Sequence, residues 1–298
     1  MVAPVMSSSP PRIRCREIDT ADIDGIATLL TIGFSHHHRT REFWMRALKR
    51  LSEHSTPPGF PKYGYLLDCN GALVGVILLI FAAIQINGET RIRCNTSAWY
   101  VEPAYRSYAA MLVSRALRHK GATYLNTTPD PHTLPTLDAQ GYVRYCGGRF
   151  VSIPALGGWS SGSRVSAIAP DTQPGEDLSS SEVDLLLAHA SYGCVSLICS
   201  SANRRYPFVF MTGRKYGLVP YVHLVYCRAL EEFVRFAGPL GRFLMRHGFP
   251  LVILDANGPI RGLIGTYSAA PPKYFRGPDQ PRLGDLAYTE QPMFGLLT

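Results

Sequence analysis

The sequence predicts an α/β fold of the α+β kind, built on a mixed sheet and divided into two parts. Three observations predict it. Strand-like apolar runs are interleaved with segments whose apolar residues recur at helical spacing. Two Asn-Gly pairs, Asn70-Gly71 and Asn87-Gly88, each join strand-like runs, a strong short-range hairpin signal. A stretch rich in Gly, Ser and Pro, residues 154–180, interrupts both patterns and separates a domain at 12–153 from one at 181–298.

The elements follow in order. Ile13 to Ile18 is a short strand. Thr20 and Asp22 open a helix whose Ile23, Ile26, Ala27, Leu30 and Phe34 share one face. A turn at Ser35–Arg39 leads to a second helix, capped by Thr40, with Trp44, Ala47, Leu48 and Leu51 facing inward; the Pro/Gly cluster 57–61 ends it. Strands at Tyr63–Asp68, Leu73–Ile84 and Arg91–Val101 come next, then a helix from Pro103 to about His119 and a strand at Thr123–Thr127. Thr133–Ala139 is a short helix before Gly141-Tyr142, and Arg144–Ile153 is the last strand of the first domain. After the linker, Ser181 caps a helix to Ala188. Strands follow at Val195–Cys199, Phe208–Met211 and Val219–Tyr226. A helical stretch, Ala229–His247, is interrupted by Gly238-Pro239, and Leu251–Leu254 is again a strand.

Composition narrows the function classes. The chain has 298 residues, 46% hydrophobic and 17% charged, enough for two domains with a real core. Its net charge of +8 favours anionic partners such as nucleotides and phosphorylated cofactors. The seven cysteines, Cys15, Cys69, Cys94, Cys146, Cys194, Cys199 and Cys227, are scattered without a C-x-x-C pair, which points to reduced thiols in the cytoplasm rather than a disulfide frame or a zinc site. The start, Met1 to Pro11, lacks the charged and apolar regions of a secretory signal. The longest apolar run, Ala72–Ile84, is shorter than the roughly 20 residues of a membrane-spanning helix, so no membrane segment is expected. Ser200-Ser201 has no G-x-S-x-G context, so a hydrolase triad is not supported.

The segment 98–117 carries the functional inference. A strand ends at Val101-Glu102-Pro103, and after a short loop with Arg106 a helix begins. In that helix Ala109, Leu112, Val113, Ala116 and Leu117 form one apolar stripe. A helix start carries unpaired N–H groups and partial positive charge, and Arg106 adds a cation, so strand, loop and helix together suit a pyrophosphate.

In this motif and in its element order, the first domain resembles the GNAT superfamily of N-acyltransferases over about 140 residues. The family signature is a strand ending in V-x-P, then R/Q-x-x-G-x-G/A at the next helix; here the loop reads Arg106-Ser107-Tyr108-Ala109-Ala110-Met111. Gly141-Tyr142 matches the family's closing Gly-aromatic pair. The resemblance implies that Arg106 to Met111 hold the pyrophosphate of acetyl-coenzyme A or another acyl-coenzyme A, with Trp99, Tyr100 and Val101 along its pantetheine arm. A backbone N–H at that strand would then face the thioester oxygen. Two departures stand out. Ala109 and Met111 replace the loop glycines, and Leu137 occupies the place of the family's usual general-acid tyrosine. Tyr142, Tyr145, His132 and Tyr108 are then the candidates to protonate the departing thiolate. His36, His37 and His38 lie in the turn between the first two helices, which borders the acceptor cleft in this family; no metal site is expected of them.

The second domain repeats the strand–helix–strand order without the loop residues. Glu231 and Glu232 stand where a phosphate would need cations, so the expectation is a degenerate second GNAT copy, giving a tandem fold. Tyr206, Tyr216, Tyr221 and Tyr226 with Arg204, Arg205, Arg214 and Lys215 form a basic and aromatic neighbourhood, read chiefly as half-buried tyrosines at a sheet edge. The leading expectation is an acyltransferase that moves an acyl group directly from acyl-coenzyme A to an amine on a small molecule or peptide. The alternatives are a non-catalytic acyl-coenzyme A-binding module, argued from Leu137 and Met111, and an aminoacyl-tRNA-dependent transferase, argued from the charge; the balance is against nucleic acid.

Overall fold

The computed structural model describes residues 12–86, 88–158, 162–215 and 219–296. The chain start, Asn87 of the second Asn-Gly pair and Tyr216 lie outside them. Two compact units emerge, one ending at Ala122 and one beginning at Thr123.

The first unit opens with β1 (Ile13–Glu17). Asp19 then caps a 3-10 turn: its side chain accepts from Ala21 N, while Asp22 accepts from Asp19 N at 2.8 Å. From that turn grows α1 (Ile23–Gly33), burying Ile26, Ala27, Leu29 and Leu30. Thr40 caps α2 (Arg41–Glu53), whose buried residues are the predicted Trp44, Ala47, Leu48 and Leu51. Then come β2 (Gly64–Cys69), β3 (Ala72–Ile86) and β4 (Glu89–Val101), and the four strands pair in sequence order, all antiparallel. Residues 74–82 of β3 are all buried, which explains the long apolar run: α1 packs on β3 and β4, and α3 (Ala109–Ala116) on β2 and β3. No helix among the described residues is long and apolar enough to cross a membrane.

The second unit holds β5 from Thr123 (the strand spans Ala122–Asn126), α4 (Leu134–Ala139), β6 (Val143–Ser152), β7 (Arg164–Ala167), α5 (Ser180–Ser191) and β8 (Val195–Ser201). It continues with β9 (Arg204–Lys215), β10 (Val219–Tyr226), α6 (Leu230–Arg246), β11 (Leu251–Ala256), β12 (Gly265–Arg276) and α7 (Glu290–Phe294). The strand order is β5-β12-β6-β11-β10-β9-β8-β7. Its parallel pair is β10 with β11, joined through α6 as a parallel crossover requires. Sixteen buried side chains, Phe208, Phe210, Phe233 and Phe236 among them, make the larger core of this unit.

Several sequence expectations differ from what is observed. The compositional break at 154–180 is not where the compact units divide. β6 precedes it yet is hydrogen-bonded to β11 on one side and β12 on the other, both from after the break. Nor is 154–180 featureless, since it carries β7 and packs its first residues on α6. Ser179 rather than Ser181 caps α5, in a reciprocal capping box with Glu182. Gly238-Pro239 does not interrupt α6, which runs unbroken from Leu230 to Arg246. A Cβ on Gly238 would lie 2.2 Å from Gly158 O, and one on Gly241 would lie 2.2 Å from Ala155 N. These glycines therefore serve a close backbone approach, and Pro239 is accommodated in a helix held by its packing.

Candidate functional site

The end of β4 is irregular where the sequence motif begins. Tyr100 stands opposite Val76 and Ser97 opposite Leu78, so Ala98 and Trp99 together face Ile77. This is a β-bulge, and Ala98 adopts φ +42°, a left-handed conformation that costs a residue with a Cβ about 1–2 kcal/mol. A bulge disrupts the ladder locally and re-aims the following side chains. Trp99 is half-buried, and its indole Nε1 is shielded from solvent without a hydrogen-bond partner among the described residues. The Tyr100 ring lies against the end of α1, where a Cβ on Gly33 would come within 2.4 Å of it. Val101 is buried beside Gly75, Leu67 and Leu112, which ties the strand end to α3.

After Val101, Glu102 N still donates to Val74 O at 2.9 Å. Pro103–Tyr108 then forms a 3-10 turn that leads into α3, rather than an open loop. Tyr105 N donates to Glu102 O, and Ala109 N to Arg106 O, so the Ala109 amide is engaged within the turn. α3 itself is shorter than the expected helix to His119, ending at Ala116, with Leu112 and Ala116 as its buried residues. Arg106 and Ser107 are exposed, Tyr108 and Ala109 half-buried, and Ala110 exposed. The guanidinium of Arg106 has no hydrogen-bond or ion-pair partner among the described residues. Met111 is 38% exposed, so its bulk does not fill the core beneath the helix start. Trp99 to Met111 thus run from strand end through turn to helix start, with Val101 buried and Arg106, Ser107, Ala110 and Met111 exposed.

The other expected residues belong to the second unit. Gly141, at φ +77°, ends α4: its N–H donates to Asp138 O, and Tyr142 N donates to Leu137 O at 3.0 Å. Tyr142 and Tyr145 are both 6% exposed, and the Tyr145 ring meets Phe275 edge-on. His132 is exposed, with Nδ1 at 2.6 Å from Asp130 Oδ1. Leu137 is buried, its place taken by core packing. In the first unit, His36 and His37 are exposed with ring centroids 4.0 Å apart, stacked on Phe34, and His38 turns the chain at φ +53°.

Of the basic and aromatic neighbourhood, Arg204 and Arg214 are exposed and Tyr226 is half-buried, while Tyr216 and the Lys215 side chain lie outside the described residues. Tyr206 and Tyr221 are buried, and Arg205 spends its guanidinium on Asp177 at 2.7 Å. That contact, a hydrogen bond and ion pair together, holds the Asp177 carboxyl down at about 2.

A buried ionic cluster is absent from the sequence reading. His223 Nε2 lies 3.2 Å from Asp255 Oδ1, Lys273 Nζ lies 3.3 Å from Asp255 Oδ2, and Lys273 Nζ donates to Gln291 Oε1 at 2.6 Å. All four residues are at most 4% exposed. Burial works to raise the Asp255 pKa, but the Lys273 ammonium and the His223 hydrogen bond outweigh it and hold the carboxyl at about 2. Burial lowers the His223 pKa, against the pull of Asp255. An ionised carboxylate only accepts, so neutral His223 carries its proton on Nε2 and donates to Asp255. The available signal was one polar residue in each of two apolar runs, VPYVHLVY and LVILDA. Lys273 lies on β12, which the sequence reading did not find.

No family model matches the sequence, and no curated protein matches it. Solved structures do match. A GCN5-related N-acetyltransferase from Anabaena variabilis superposes with a TM-score of 0.58 at 11% identity, over 89% of this chain and 72% of that one. A conserved Enterococcus faecalis protein designated a probable N-acyltransferase gives a TM-score of 0.59 at 10% identity, over 92% of this chain and 73% of that one. A GCN5-related N-acetyltransferase from Kribbella flavida gives 0.53 at 14% identity, over 89% of this chain and 71% of that one. With its four antiparallel strands, bulged β4 and turn into α3, followed by a second strand–helix–strand unit, the chain has the fold of the GCN5-related N-acetyltransferases.

Proposed function

We propose that the chain is an N-acyltransferase that takes an acyl group from acetyl-coenzyme A or another acyl-coenzyme A and passes it directly to an amine. The observation that carries this reading is the bulge at Ala98, which disrupts the end of β4 immediately before a helix start flanked by an exposed, unpartnered Arg106. Residues 99–101 would hold the amide-rich pantetheine arm as a neighbouring strand would. Arg106 and the amides of the α3 start would hold the pyrophosphate; because Ala109 N is already engaged, more of that task falls to the Arg106 side chain. Residues 99–111 supply the donor site, and the acceptor is the amine of a small molecule or peptide.

In the reaction the amine nitrogen attacks the thioester carbon, the C–S bond breaks, the amine loses a proton and the thiolate gains one. Rate gain comes from holding amine and thioester together and from a backbone N–H at the bulge facing the developing oxyanion. Tyr142, Tyr145 and His132 stay candidates for the proton to the thiolate, with His132 the one most open to solvent. The seven cysteines are all thiols, which supports a cytoplasmic setting.

Buried Leu137 favours a second reading, an acyl-coenzyme A-binding module without turnover. Thermal shift with acyl-coenzyme A compounds of increasing chain length tests the first step. A ligand at 100 times its dissociation constant should add about 2.7 kcal/mol of stability. Arg106→Glu should weaken binding about tenfold or more, since it reverses a charge beside a diphosphate. A flat panel overturns both readings; binding without thiol release across a broad set of amines leaves the module. Salt-sensitive binding of aminoacyl-tRNA with no response to coenzyme A would replace both with the tRNA-dependent transferase.

A further inference from the structure

The second unit has its own strand running into a helix, β10 into α6, and the chain itself already lies on that strand. One edge of β10 pairs with β9, as far as Tyr226 opposite Val209. The other edge pairs with β11 at Tyr221, Val222 and His223. Further along, Leu286 N donates to Val225 O at 2.7 Å, Cys227 N donates to Gly284 O at 3.0 Å, and Tyr226 pairs with Asp285 in antiparallel fashion. Since Val209 already takes one side of Tyr226, Asp285 must lie on the other, the edge that β11 has left. The β10 register slips between Leu224 and Tyr226, at the end of the strand and ahead of α6, as β4 slips at Ala98 near its own end.

The occupying segment is built to stay. Gly284 takes φ +77°, and a Cβ there would come 2.9 Å from Cys227 Sγ, so glycine permits the close approach. Leu286 and Ala287 belong to a core with Leu178, Leu186, Val209 and Val225. Further on, Thr128 Oγ1 donates to Glu290 Oε1 at 2.5 Å and Lys273 donates to Gln291. The helix start is equally committed. Arg228 is spent on Glu182, at 2.5 and 2.8 Å, and on Asp177 O at 2.6 Å, while Glu231 and Glu232 crowd the first turn.

We infer that residues 284–296 are a built-in occupant of a second strand–helix cleft, so that each chain takes one acyl-coenzyme A, at β4 and α3, and none at β10 and α6. The identity of the ligand rests on the proposed function; the occupancy does not. A pantetheine arm offers amide N–H and C=O groups to a strand edge, and a peptide segment making those bonds excludes it. Independently of the occupant, the cation nearest the α6 start, Arg228, is already held by Glu182 and Asp177 O and does not stand open to a diphosphate.

Hydrogen exchange on the full chain, with and without acetyl-coenzyme A, tests this alongside a calorimetric titration. The amides of Cys227 and Leu286 should exchange about a thousandfold or more slowly than in an unstructured chain, as amides of a packed core do. Their exchange should not change with acetyl-coenzyme A, and the titration should end at one ligand per chain. Gly284→Ala should speed both amides about tenfold or more while leaving amides of α1 and α2 unchanged. Fast exchange of Cys227 and Leu286 in the unaltered chain overturns the inference, as does ligand-induced protection at 225–227 or a second equivalent of bound ligand. If no ligand binds at all, the proposed function fails by itself, and the two amides still decide whether the edge is occupied.

Discussion

Ala98 sets the geometry of the candidate site through its own backbone. At φ +42° a Cβ is strained, and a second branch at that carbon is worse. Ala98→Val should therefore lower stability by about 1–3 kcal/mol. Ala98→Gly should stay within about 1 kcal/mol of the parent, because relief of the left-handed strain offsets the extra freedom of glycine in the unfolded chain. Urea unfolding midpoints separate the two; equal losses would mean that the bulge does not hold its left-handed conformation in solution. Asp255 is the second decisive residue. Asp255→Ala leaves the Lys273 ammonium buried without its carboxylate and should cost about 3–5 kcal/mol, whereas replacing His223, Asp255 and Lys273 together by apolar residues of similar volume should cost less. Thermal or urea unfolding of the single and triple variants checks this, and a triple variant worse than the single would count against the cluster as a desolvated ion pair.

At the scale of elements, α6 shows how packing reverses a propensity rule. Gly to Ala in an exposed helix gains about 1 kcal/mol. At Gly241 the new Cβ would meet the backbone of Ala155 at 2.2 Å, and backbone cannot rotate aside as a side-chain end can. Gly241→Ala is therefore expected to destabilise by about 1–3 kcal/mol, the range for overpacking a filled contact. A midpoint that rises instead would show that 154–156 does not sit on α6. The same contact explains why a stretch with linker composition is held in place: backbone-to-backbone packing needs small residues and leaves little apolar periodicity to read.

For the whole molecule, β6 is the element that joins what composition separates. It lies before the Gly/Ser/Pro-rich stretch and is paired along both edges with strands from after it, Val252–Ala256 of β11 and Gly265–Phe275 of β12. Cutting between Ile153 and Pro154 should leave neither piece able to complete its sheet. Fragments 12–153 and 154–298 expressed singly are expected to lack a cooperative unfolding transition, and co-expression is expected to restore one. Independent cooperative unfolding of either fragment would show that the β6 pairings are dispensable.

The sequence by itself determined the helices α1 and α2, the β2–β3 hairpin across Asn70-Gly71, and the strand–turn–helix around Arg106, because each is written in local spacing, caps and turn residues. Only the tertiary structure decided the rest. The Ala98 bulge needs the register of β3 and carries no glycine to announce it. The His223–Asp255–Lys273 cluster joins three consecutive strands, β10, β11 and β12, and single polar residues in apolar runs do not say which of them will meet. The 284–296 segment meets β10 through backbone hydrogen bonds at residues 284–286, and the order of side chains does not say which strand edge such bonds will find.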